Sequence, residues 1–164
     1  MSRKLILAEI TTILKEVDSI GKVYDSVRWV IEESKFNESF IASIADQQQI
    51  RAWIISRVSG QDGYGAMNRG LGTLMAVPVG TRLNRYDFTI EGFMSFKDDE
   101  TEAEFQDLVD SIRDKFKDNI SLNSSALERG NITYKVGHTR FGEYLVHHAV
   151  IDFWAIERDG IVPV

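Results

Sequence analysis

The chain contains no cysteine. Disulfides, thiolate nucleophiles and cysteine-ligated metals are therefore excluded. Proline is almost as scarce, with Pro78 and Pro163 the only two, so no proline-rich linker marks a domain boundary. Histidine is limited to His138, His147 and His148. Positive charge is in deficit: 19 Lys and Arg face 25 Asp and Glu, for a formal net charge of −6, and the pI is about 5.1. A surface built to grip DNA or an anionic membrane needs concentrated positive charge. Neither specific nucleic-acid binding nor membrane association is expected. No apolar run reaches the ~18 residues that a spanning helix requires. The first residues do not form a signal peptide, because Glu9, Lys15 and Glu16 interrupt the apolar stretch.

What is present is ordinary for a globular protein: 43% hydrophobic and 27% charged residues in 164. That length favours one domain, residues 1–164, which buries about 70% of the surface of its unfolded form. Residues 2–17 read as an amphipathic helix, with Ile6, Ile10, Ile13, Leu14 and Val17 at helical spacing. Residues 22–46 read as an irregular connector, with Val23 and Tyr24 as a possible short strand and a helical turn near residues 38–45. It includes the apolar knot Trp29-Val30-Ile31. Residues 50–58 and 85–95 read as strands. In the second, Tyr86, Phe88 and Ile90 alternate with Arg85, Asp87, Thr89 and Glu91, so one face meets a core and the other meets water or a partner.

Residues 101–118 predict a helix. Thr101 and Glu104 have capping-box spacing, acidic residues gather at the start, and Lys115 and Lys117 sit near the end. Residues 131–136 and 144–156 read as a final strand pair, with residues 160–164 as a loose tail. The expected fold is α+β: a four-stranded, largely antiparallel sheet with two helices packed on one face. Residues 59–84 form a long glycine-rich insert between its first two strands. A structureless segment of this length is usually functional or disordered, and this one is expected to be mobile in a lone subunit.

The candidate chemistry is thin. Gly63-Tyr64-Gly65 and Gly70-Leu71-Gly72 lack the Gly-Lys-Ser/Thr of a phosphate-binding loop, and their spacing fails the dinucleotide fingerprint. His147 and His148 are adjacent, so on a strand they point to opposite faces. His148, Asp152 and Glu91 are the best remaining metal or catalytic set, although His148 and Asp152 stand about 13 Å apart along a strand. No catalytic residue, metal ligand or cofactor is assigned. Arg51, Arg57, Arg82 and Arg85, with Arg69 inside the insert, surround the gap between the two strands. Arginine is favoured at protein interfaces. The apolar Met67, Leu71, Leu74 and Met75 nearby need something to bury against. Asp107, Asp110 and Asp114 share an outward helical face, which is a natural opposite to the arginines.

The layout resembles the small tail-terminator and head–tail joining proteins of long-tailed phages and prophages. The resemblance spans roughly residues 5–157. An N-terminal helix leads into Ile20-Gly21-Lys22-Val23-Tyr24. Arg85-Tyr86-Asp87-Phe88-Thr89-Ile90-Glu91-Gly92-Phe93 is similar to the family's middle strand, and Glu104-Phe105-Gln106-Asp107-Leu108-Val109-Asp110-Ser111-Ile112 to the helix after it. His147-His148-Ala149-Val150-Ile151-Asp152-Phe153 is similar to its final strand. Residues 22–50 do not fit the pattern. The resemblance implies a non-enzymatic virion protein, assembled in the bacterial host cytoplasm and located in the tail. It implies a self-assembled ring, commonly a hexamer, that contacts the tail-tube protein and the head-connector protein. Met67, Arg69, Leu71, Leu74, Met75, Arg82 and Arg85 would then meet Asp107, Asp110 and Asp114 of a neighbour. The residues themselves leave open a monomeric protein-binding module or a small metal-dependent enzyme.

Overall fold

The computed structural model describes residues 3–27, 33–64, 77, 81–97 and 100–161. The chain runs α1 (Arg3–Lys15), β1 (Lys22–Tyr24), α2 (Glu33–Phe40), β2 (Ile41–Ile44), β3 (Gln47–Tyr64), β4 (Thr81–Ser95), α3 (Glu100–Lys117), β5 (Glu128–Arg129), β6 (Thr133–Phe141) and β7 (Tyr144–Ile161). This mixed α/β fold carries a seven-stranded sheet, which overturns the expected four-stranded sheet with two helices. The four strands read from the sequence are present, as β3, β4, β6 and β7. Of the other three, β1 matches the short strand read at Val23 and Tyr24, while β2 and β5 were missed because they are only four and two residues long and carry no periodic signal of their own.

The sheet runs β1-β3-β4-β7-β5, with β2 also on β3 and β6 also on β7. β4 lies at its centre, antiparallel to β3 on one side and to β7 on the other. β3 and β7 have 18 residues each, a span of roughly 60 Å at the usual rise. Both outgrow their sequence-based bounds. Residues 59–64 of the expected insert pair with residues 82–87, Ser59 with Asp87 through Tyr64 with Arg82, so both ends of the insert are strand. Their glycines and polar residues read as loop, yet pairing with β4 makes them strand. The expected turn near residues 38–45 is replaced by the end of α2 followed by β2. Residues 137–141 continue β6, and Gly142-Glu143 alone turn the chain into β7. Gly142 has a φ of 62°, the glycine-first geometry that suits tight hairpins. Trp29, Val30 and Ile31 lie outside the described residues.

One face of the sheet carries α1 and α3. Ile6, Ile10, Ile13 and Leu14 of α1 and Phe105, Val109, Ile112 and Phe116 of α3 pack on Trp53, Ile55, Phe88, Ile90, Ile151 and Phe153. Trp53 stacks on Phe105 at 6.0 Å. This stacking needs Gly92 on the neighbouring strand, since a Cβ there would fall 2.2 Å from the Trp53 ring. Among the described residues the opposite face is covered only at its ends. At one end Phe40 of α2 is buried with Ile50, Ile54, Phe93 and Val146. At the other a small cluster forms around Leu83 and Ile156.

Candidate functional site

Between those two clusters the open face is polar. Strand alternation aims Arg85, Asp87, Thr89 and Glu91 of β4 at it, as the sequence pattern predicts. The register sets Asp152 beside Thr89 and Trp154 beside Asp87. A bulge in β3 between Arg57 and Ser59 reverses the alternation, so that Ser59 joins the same face. Val58, the extra residue, is exposed.

The side chains form two neighbouring hydrogen-bonded groups, one on Asp87 and one on Asp152. Arg85 donates to Asp87 Oδ1 from Nε at 3.0 Å and from Nη2 at 2.9 Å. The Ser59 hydroxyl donates to Asp87 Oδ2. Thr89 donates to Asp152 Oδ1 at 2.6 Å. The Arg85 guanidinium also lies over the Trp154 ring at 4.9 Å, while Gly130 packs so closely on that indole that a Cβ would sit 2.0 Å from it. Burial opposes ionisation of Asp87, but the bonds from Ser59 and Arg85 and the charge of Arg85 together outweigh it. Its carboxyl is held below the ordinary value. Asn131, Thr133, Asp152 and Trp154 help to line an open hollow of about 550 Å³ beside this network.

Two sheet edges flank the site. Among the described residues β6 pairs with β7 alone, and each of its residues is exposed or half-buried. On the far side of the sheet, β1 and β2 occupy β3 at residues 52–54 and 47–50. Beyond them residues 57–62 of β3 are exposed and have no outer strand partner among the described residues.

The predicted interface residues separate. Met67, Arg69, Leu71, Leu74 and Met75 lie outside the described residues. Arg82 and Arg85 are three positions apart on β4 and so point to opposite faces. Arg82 lies 3.4 Å from Asp62, and Arg85 is held by Asp87. Asp107, Asp110 and Asp114 are exposed on α3, the element opposite the polar face. Asp110 accepts from Arg113 at 2.6 Å. Arg51, read as a strand-end interface residue, is instead buried. It donates to Glu104 and to the Ser19 carbonyl at 3.0 Å. Glu104 therefore does not close a capping box; Thr101 bonds to the Lys97 backbone instead.

His148 stacks on Phe93 at 5.0 Å, and Asp152 is engaged by Thr89. Among the described residues no group of three His, Asp or Glu is placed to hold a metal ion, and no helix is long and apolar enough to cross a membrane. Ser59 and Trp154 belong to the polar network but drew no notice in the sequence, since a bulge and a cross-strand register have no local signature. No protein-family model matches the chain, and no curated protein matches it.

Proposed function

We propose that this chain is a structural subunit of a phage tail. It joins copies of itself head to tail in a closed ring, a hexamer by family resemblance, which caps the tail tube and docks to the head connector. The protein works by assembly and carries out no catalysis. The observation that carries this reading is a pair of unlike sheet edges that have no outer strand partner among the described residues. A head-to-tail contact joins two different patches of the same chain, whereas a two-fold contact would need only one. The exposed β6 edge and residues 57–62 of β3 provide two such patches on opposite sides of the molecule.

Polarity supports the same reading. β3, β4, β7 and β6 alternate in direction across the sheet. Rotation about an axis along the strands therefore sets β3 of the next copy antiparallel to β6. β6 lies level with the half of β3 that β1 and β2 cover. The contact thus requires each copy to be displaced along the strands, as strands tilted to a ring axis are. The polar face with Arg85, Asp87 and Asp152 is left for the tube or the connector.

Light scattering after size exclusion tests the ring. A mass several times 18.6 kDa is expected, falling to the monomer when Val58 and Val136, exposed on the two edges, are each changed to Asp. A wild-type particle of 18.6 kDa at every concentration, unchanged by those substitutions, overturns the ring and favours a monomeric binding module.

A further inference from the structure

We propose that His147 and His138 form an acid-sensitive latch, which holds the first turn of α3 to the β6–β7 hairpin at neutral pH and releases it on acidification.

The latch is built from three elements. His147 and His138 stand directly opposite one another on β7 and β6, on the face that carries α3, with ring centroids 5.0 Å apart. His147 is buried, at 1% exposure. Its Nε2 lies 2.8 Å from the Thr101 hydroxyl in the first turn of α3. Phe105 stacks on the His147 ring at 5.4 Å, and Phe96 lies 5.0 Å from it and 5.4 Å from His138. The Thr101 hydroxyl takes the Lys97 N–H at 3.0 Å and reaches the Lys97 carbonyl at 3.0 Å. One oxygen thus ties the imidazole, the start of α3 and the end of the preceding loop together.

A neutral imidazole suits this place and a cation does not. The His147 ring is removed from water, which penalises its charged form. The N-terminus of α3 presents the positive end of its dipole. A charge on His138 would face one on His147 across a single strand spacing. The groups of opposite sign are Glu102 and Glu104 on α3. Of these Glu104 is engaged by the Arg51 guanidinium from β3, and Glu102 receives the Gln106 amide at 3.2 Å. Burial first, and then the charge of His138, hold the His147 imidazole below its ordinary value, against the opposing pull of Glu102 and Glu104. A group held down in this way binds protons more readily once the contact opens. The closed form is therefore fully favoured above the ordinary histidine range and loses ground as pH falls through it.

This inference concerns one copy of the chain and is independent of the ring. Its test is hydrogen exchange of the full chain, read at α3 residues 101–105 and at β4 residues 88–91, with an imidazole NMR titration in parallel. Between about pH 7.5 and about pH 5, after correction for intrinsic exchange, the α3 turn is expected to lose protection about tenfold while β4 keeps it. His147→Gln retains a polar group for Thr101 but cannot gain a proton, so its α3 turn should exchange at a pH-independent level. His138→Gln removes the facing charge and should make the loss smaller, because the closed form then accepts the His147 proton more readily. Should His147→Gln fail to fold, the smaller loss in His138→Gln and the wild-type titration decide the matter. A wild-type α3 turn that stays protected at about pH 5 overturns the latch, as does a loss of protection that persists in His147→Gln or ignores His138→Gln.

Discussion

Arg51 shows how far a residue can depart from its usual role. Arginine is seldom fully buried unless it is paired, and composition alone would set it in water or at an interface. Here the guanidinium is enclosed, with Glu104 as its charge partner and Met94 Sδ at 3.1 Å. Glu104→Gln leaves that cation inside the protein without its counter-charge. The variant should lose about 1–3 kcal/mol, below the ~3–5 kcal/mol of a fully buried pair, because the Glu104 side chain is half-exposed. The shift of the urea midpoint measures it. Asp87 makes a prediction of opposite polarity. Its folded carboxyl titrates below the unfolded one, so its contribution is complete above the ordinary aspartate range near ~3.9. That contribution is lost as pH falls through the lower folded value. Asp87→Asn should lower the urea midpoint at neutral pH and bring the two proteins together at acid pH; parallel curves would show that the network adds nothing. The first partnership is invisible in the sequence, where Arg51 and Glu104 are 53 positions apart.

At the level of elements, legibility followed periodicity. α1, α3 and the Tyr86–Phe88–Ile90 alternation could be read because each repeats a face over several turns or residues. α3 was placed to within a residue of its observed limits, Glu100 and Lys117. Its stripe also gives the most direct test of the core: Phe105→Ala should cost about 3–5 kcal/mol in thermal or urea unfolding, since the ring supports both Trp53 and His147. What was illegible had no repeat. Ser59-Gly60-Gln61-Asp62-Gly63 has the composition of a loop, yet it is strand because β4 lies alongside to accept it. β1 and β2 are strands only by virtue of β3. The polar network was half legible: the pattern showed Arg85, Asp87, Thr89 and Glu91 on one face, while the contributions of Ser59 and Trp154 depend on a bulge and on register.

For the molecule as a whole the governing feature is that, among the described residues, α1 and α3 cover one sheet face while the middle of the other face and two edges have no covering element. Exposed edges usually carry devices against unwanted pairing, charged residues among them. Lys135 and Arg140 on β6 are of that kind, and they would admit a partner only in a register that spaces their charges. If the copies associate through these edges, assembly should depend on salt less than on backbone pairing. Raising the ionic strength would then leave the particle mass in light scattering nearly unchanged, whereas contacts built from Arg82 and the α3 aspartates would weaken. A further consequence follows from β4, which is paired along nearly its whole length with β3 on one side and β7 on the other. Ladder hydrogen bonds in antiparallel sheets stand perpendicular to the strands. A load pulling along β4 is therefore shared by both ladders at once, in shear, while a load across the sheet opens them one pair at a time. The protein is mechanically anisotropic: stiff along its strands and peelable across them.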